Sequence, residues 1–428
     1  IFPSRFAATE PVDKELWITP MDDLHGNLRG IIEHMDDIQN LGIDVLYMTP
    51  IFKSNSCHKY DTTDYYQIDP SFGTTEDLKE LVQKAHERGM KVVLDAVYNH
   101  TGREFFAFAD ILENGEKSKY RDWYFIDGFP LKSEWGEIPN FKCFGYYGGM
   151  PKLNLKNPEV EKYITDVACY WIKECDIDGW RLDVGDEISH FFWKNFRKAV
   201  KAVKKDMLII GEIWHYAGDF LEGDEWDTVM NYPFYLNLID LLADEKITVS
   251  QFVQNLGYLK GRLHKNCYPL MWNLIDSHDT ARFLHLCNDN KKKQHLAAAF
   301  QLLLPGMPMI YYGDEYAMPG ANDPDCRRGM YWEEEYQDKE MYEWYKRLIQ
   351  VRKSHACIVE GELAGIVTED EEGTVVLIRK NGEETIAMIF NCSSSAKKFN
   401  EYTQKYNLLT ENTFDGNVEG FDAAVIVL

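Results

Sequence analysis

Eight short apolar runs, spaced by longer amphipathic stretches, constrain this chain more than any other feature. They lie at 1–2, 45–48, 92–97, 179–184, 208–212, 229–231, 270–275 and 309–312. Short apolar runs of this kind read as strands buried on both faces, and their alternation with helical patterns reads as parallel βαβ units. The stretch 75–86 is one such helix: Thr75 is placed to cap it, acids fill its first turn, and Gly89 stops it. Eight units predict an α/β fold, a closed (β/α)8 TIM barrel. An open doubly wound sheet would want a Gly-rich phosphate turn after its first strand, and none is present.

Two stretches depart from the alternation. From 101 to 155 the chain is rich in Gly, Pro and aromatics with weak periodicity, which predicts a small subdomain inserted after strand 3. It leaves from the C-terminal end of a strand and should overhang the catalytic face. After a helix over 341–353, alternating runs at 374–379, 385–391 and 423–428 predict a C-terminal antiparallel β-sandwich, with Asn381-Gly382 as a hairpin turn. The expected domains are a catalytic barrel over 1–100 and 156–355, the insert over 101–155, and the sandwich over 356–428.

Several strand candidates end in polar clusters: Asp95-x-x-x-Asn99-His100, Arg181-x-Asp183, Glu212-x-Trp214-His215 and Ser277-His278-Asp279. Arg181 and Asp183 are two residues apart, so a strand points them the same way. Buried together they must pair, and pairing is expected to keep Asp183 ionised, as a nucleophile requires. At one strand a structural ion pair reads the same way. Four polar clusters on one barrel rim read as catalysis. Three carboxylates with two His and one Arg suit glycosyl transfer, in which one carboxylate attacks and another holds a proton. Glu212 is the expected acid, since Ile210, Ile213 and Trp214 beside it are apolar. Metal hydrolysis would want H-x-H or H-E-x-x-H spacing, which is absent.

Charge and cysteine usage narrow the partners. Lys and Arg number 46 against 70 Asp and Glu, a net charge of −24. That excludes nucleic acid and anionic membrane as partners. Nine Cys without metal-ligand spacing read as reduced thiols, favouring a cytoplasmic location. No apolar stretch is long enough to span a membrane. The first residues read as the middle of a strand, so upstream sequence is expected.

At the polar clusters the chain resembles the α-amylase family of glycoside hydrolases. Asp95-Ala96-Val97-Tyr98-Asn99-His100, Gly179-Trp180-Arg181-Leu182-Asp183, Gly211-Glu212-Ile213-Trp214-His215 and Ser277-His278-Asp279 match its four signature regions in order. Met150-Pro151-Lys152-Leu153-Asn154 resembles the extra motif of the neopullulanase, cyclomaltodextrinase and maltogenic amylase branch. The resemblance implies Asp183 as nucleophile, Glu212 as general acid/base and Asp279 as the holder of sugar hydroxyls. It implies that Arg181 orients Asp183, that His100 and His278 bond the same sugar, and that Tyr60 stacks under it. Trp214, followed by His215, would face the leaving-group side, and Asp323 and Arg327 would line the non-reducing side.

The implied reaction is retaining hydrolysis of α-1,4-glucosidic bonds in maltodextrins, cyclodextrins, pullulan or starch, with the two carboxyls ~5–5.5 Å apart. Transfer between glucans, or a binding protein that has lost catalysis, are the alternatives; the three acids argue against the second. Two departures from the branch matter. The β-domain that the branch carries ahead of the barrel is not among these residues, and oligomeric state is left open. Its calcium loop after Arg-Phe-Ala reads Ala8-Thr9-Glu10-Pro11-Val12-Asp13-Lys14 here, too poor in oxygens for a hard cation. Asn99 is a candidate ligand of a different family site. No metal site is assigned, no cofactor is expected to be required, and Ca²⁺ is admitted without being strictly required.

Overall fold

A computed structural model describes residues 1–10, 12–19, 24–132, 138–264 and 266–428. Pro11 of the 8–14 segment and residues 133–137 of the insert lie outside the described residues.

Five parallel strands form one sheet in strict chain order: Val45–Met48, Lys91–Ala96, Gly179–Leu182, Leu208–Gly211 and Thr228–Val229. A doubly wound sheet would reverse its order part-way, and this one does not. A parallel bridge from Met230 to Trp272 carries the array to a further parallel pair, Trp272–Asn273 with Met307–Pro308. Lys91–Ala96, Gly179–Leu182, Leu208–Gly211, Thr228–Val229 and Trp272–Asn273 are wholly or largely buried, as strands covered on both faces are, while Val45, Tyr47 and Met307–Pro308 are half-buried. Helices such as Thr75–Glu87 and Pro158–Cys175 return the chain between strands.

Some expected bounds move, each for a local reason. Residues 1–2 form no strand; a helix over Pro3–Phe6 follows at once, with Pro at its first position. The predicted strand at 309–312 lies two residues earlier, at Met307–Pro308, where the backbone pairs with Trp272–Asn273. Pro308 lacks an N–H to donate to a ladder, and a ladder of two residues tolerates it. The strand at 229–231 stops at Val229 because Asn231 turns to cap the helix Tyr232–Leu238, accepting from Phe234 N–H. Thr74, not Thr75, caps Thr75–Glu87; it accepts from Asp77 N–H while Asp77 accepts from Thr74 N–H, a capping box.

The insert folds around a helix, Phe106–Asn114, and short bridges including Tyr124 to Leu153 and Ile126 to Phe141. Phe108 packs edge-on to Tyr124 with centroids 5.0 Å apart, and both merge into the core beneath the parallel sheet. A bridge from His100 to Lys152 ties the insert to the end of the strand it left.

The C-terminal region is a six-stranded antiparallel sheet plus a two-stranded ladder. Thr374–Asn381 and Glu384–Asn391 pair as a hairpin whose loop is Gly382-Glu383, one residue later than expected; Gly382 carries φ +60°. One sheet face, with Val375, Met388 and Phe390, packs on the helix Lys291–Leu303; Phe300 stacks on Phe390 at 4.2 Å. The other face, with Val376 and Ile389, covers Phe399 and Phe414.

Candidate active site

The C-terminal ends of consecutive parallel strands bring the polar clusters to one place. Arg181, fully buried at the end of Gly179–Leu182, is its hub. Its Nη1 lies 3.1 Å from both Asp95 oxygens and 3.1 Å from Asp183 Oδ1, and its Nη2 lies 2.9 Å from Glu212 Oε2. One guanidinium therefore holds three buried carboxylates, where sequence reasoning had given it one. Asp183 Oδ2 is buried and has no hydrogen-bond partner among the described residues.

The sharing divides the pull of Arg181 among three carboxylates. Arg181 pulls Asp183 down, but burial and the neighbouring Glu212 push its carboxyl well above the usual range. Asp95 is likewise pushed up to about 6 by burial, against Arg181. A single cation does not offset the desolvation of three carboxylates.

Glu212 follows the strand Leu208–Gly211 and is held by donors that the apolar-neighbour argument overlooked. Besides Arg181, Val184 N–H donates to Oε2 at 3.0 Å and Trp214 Nε1–H to Oε1 at 3.1 Å. Val184 aims its N–H there from a left-handed conformation, φ +47°, costly for a β-branched residue. Gly211 makes room: a Cβ there would lie 2.2 Å from the buried Trp226 ring. Gly211→Ala is therefore expected to destabilise the fold by about 1–3 kcal/mol and to displace Glu212. Thermal melting and turnover of the variant check this together.

The other predicted residues surround this dyad. Tyr60 O–H reaches Asp95 Oδ2 at 3.0 Å and His278 Nε2 at 2.6 Å, with its ring parallel to His278 at 5.6 Å. His278 Nε2 also lies 3.2 Å from Asp279 Oδ2. Burial first, then Arg181 and Arg327, push His278 well below its ordinary range; burial holds His100 down to about 4. Both rings are neutral at pH 7 and bond as dipoles. His100 Nε2 faces the Tyr60 carbonyl at 3.1 Å. Arg327 braces the loop from below: Nε donates to His278 O at 2.8 Å, while Nη2 and Nη1 lie 3.5 and 3.2 Å from Asp279 and Asp323. Trp214, 41% exposed, stacks on Tyr232 at 3.9 Å and leaves its outer face open beside Glu212. His215 stands apart, largely exposed, with Nε2 3.2 Å from Asp186.

Tyr47, Tyr232 and Val184 were missed by sequence reasoning. Tyr47 read as part of an apolar strand, yet its O–H donates to Asp95 Oδ2 at 2.7 Å. Asp95, quoted within a signature region without a role, gave the usable signal: a carboxylate inside a buried strand must be satisfied by something.

Asn99 is bonded by Lys152. The lysine ammonium donates to Asn99 Oδ1, to Glu187 Oε2 at 2.8 Å and to the Glu187 carbonyl at 3.1 Å. Among the described residues no group of three or more His, Cys, Asp or Glu is arranged to hold a metal ion.

Comparison with known proteins gives the family. The family described as "Alpha amylase, catalytic domain" matches residues 1–336. A cyclomaltodextrinase of Geobacillus thermopakistaniensis (strain MAS1) is 46% identical over 404 residues, 92% of this chain and 68% of that protein. Neopullulanase 2 of Thermoactinomyces vulgaris is 42% identical over 401 residues, 91% of this chain and 68% of that protein. The solved ligand-free cyclic α-maltosyl-(1→6)-maltose hydrolase of Arthrobacter globiformis superposes with a TM-score of 0.91 at 35% identity, covering 100% of this chain and 97% of that one. This chain belongs to the α-amylase family of glycoside hydrolases, in the branch of the cyclomaltodextrinases, neopullulanases and maltogenic amylases.

Proposed function

We propose that the chain is a retaining hydrolase of α-1,4-glucosidic bonds in cyclodextrins, maltodextrins, pullulan or starch. The carrying observation is the Asp183 carboxylate, with one oxygen held by Arg181 and the other unpartnered, anchored on the same guanidinium as Glu212. Burial and the neighbouring Glu212 push the Asp183 carboxyl upward, and Arg181 opposes them.

Asp183 Oδ2 attacks the anomeric carbon as the glycosidic C–O bond breaks, and the leaving oxygen takes the proton from Glu212. Water then attacks the same carbon, gives its proton to Glu212, and releases Asp183. Asp279, His278 and His100 would hold the sugar hydroxyls, and Tyr60 would stack beneath the ring. Trp214 and His215 would flank the leaving group, with Asp323 and Arg327 on the non-reducing side. The supporting architecture is a closed (β/α)8 barrel over 1–100 and 156–355, an insert over 101–155 and a C-terminal β-sandwich over 356–428. Nine unpaired cysteines support a reducing, cytoplasmic setting.

The names of the relatives support cyclodextrin and pullulan as substrates. Product analysis on β-cyclodextrin, pullulan, starch and maltotriose tests the reading: shorter linear products support hydrolysis. The open face of Trp214 favours a second outcome, since an acceptor sugar stacked there would compete with water. Longer oligosaccharides from maltotriose would show that transfer dominates.

Activity is expected to survive dialysis against a chelator, because the Lys152 ammonium supplies the positive charge at Asn99. Loss on chelation, restored by Ca²⁺, contradicts this.

A further inference from the structure

Tyr60 sits on a loop, 55–61, between two paired antiparallel strands, Phe52–Ser54 and Thr62–Ile68. A ring carried on a loop needs a hold of its own, since loops are the mobile part of a fold. Two bonds hold the Tyr60 backbone. Its N–H donates to His58 Nδ1 at 3.0 Å, and its carbonyl faces His100 Nε2 at 3.1 Å.

Lys59, the residue before it, supplies a further and costlier hold. Its backbone is left-handed, φ +65°, which a residue with a Cβ adopts only against a steric penalty. Its side chain is buried, which a lysine tolerates only when paired. The Nζ lies 2.9 Å from Asp69 Oδ2 and donates to the Ser54 carbonyl at 3.4 Å. Asp69 is buried too, and its carboxylate also accepts from Ser54 N–H at 3.1 Å and from Ser71 N–H and O–H at 3.0 and 2.6 Å. The ammonium thus ties the loop to Ser54, where it begins, and to Asp69, just past the strand that follows it. A buried ion pair is weak evidence for stability, and backbone strain at the same residue adds to its cost. Both costs fall next to Tyr60, whose own side chain reaches the other way, to Asp95 and His278 in the site.

We propose that Lys59 is a positioning residue: its buried pair with Asp69 sets the loop so that the Tyr60 ring lies beneath the sugar that reacts. This rests on the stacking role given to Tyr60 above. The two are tested by different variants, so they can fail separately.

The test is a double-mutant cycle in kcat/KM on maltotriose, beside melting curves, for the parent, Lys59→Met, Tyr60→Ala and the two together. Lys59→Met keeps the stem and removes the ammonium. It is expected to lower kcat/KM about 10–100-fold, as displacement of an orienting group does. The combined variant is expected to be no worse than Tyr60→Ala alone, because Lys59 acts only through that ring. A merely structural lysine would multiply its own loss with that of Tyr60→Ala. Asp69→Asn weakens the same pair from its other end and is expected to show the same lack of additivity; it carries the test if Lys59→Met does not fold. Losses that multiply, or parent-like kcat/KM in both Lys59→Met and Asp69→Asn, overturn the proposal while leaving the stacking role in place. Parent-like turnover in Tyr60→Ala overturns the stacking role and this proposal with it.

Discussion

Glu212→Gln lowers kcat by about 10²–10⁴ on every glucan tested, with Tm little changed. The substitution keeps the side chain's size and removes the proton that the leaving oxygen needs. It also places an amide where three donors converge, Arg181 Nη2, Val184 N–H and Trp214 Nε1–H. The amide nitrogen would meet one of these donors head-on, so the side chain is expected to turn as well. The check is kcat on maltotriose and β-cyclodextrin beside a melting curve. A folded variant with near-normal kcat sinks the acid/base assignment.

Arg181→Leu is expected to cost more, because it removes both stability and chemistry. Asp95, Asp183 and Glu212 would remain buried around an apolar side chain. Breaking a buried ion pair costs about 3–5 kcal/mol, which in a chain this long lowers Tm by roughly 3–6 °C. The loss has a sign in pH. Burial already pushes Asp95 and Asp183 upward against Arg181, so without the cation both rise further and bind protons on folding. The variant is most stable in acid and weakens as pH rises through those raised pKa values. Melting curves between pH 4 and 8 check this; a variant as stable as the parent at pH 7 would show that Arg181 is not the hub.

The sequence carried the strands and the acids because both rest on strong local signals. The strand over Lys91–Ala96 is buried at five of its six positions, so its run was unmistakable. Thr228–Val229 and Trp272–Asn273 are only two residues long, and their bounds follow from tertiary pairing that no local pattern encodes. Polar residues at strand ends were legible as a group, since Arg181, Asp183, Glu212 and His278 stand out against apolar surroundings. What they bond to was not. The sharing of Arg181 among three carboxylates, the N–H of Val184 and the hydroxyl of Tyr47 depend on which strands become neighbours. For the same reason Lys152 read as a motif residue, while its position on Asn99 and Glu187 needed the folded insert.

The central claim is that Asp183 forms a covalent bond to the sugar while Glu212 moves the proton. The direct measurement is trapping with a 5-fluoro-α-glucosyl fluoride, which slows breakdown of a glycosyl-enzyme, followed by peptide mass spectrometry. The account predicts a single added hexosyl group on the peptide bearing Asp183, and none in Asp183→Asn. Label on Glu212 or Asp279, or a product released with inverted anomeric configuration, would contradict it.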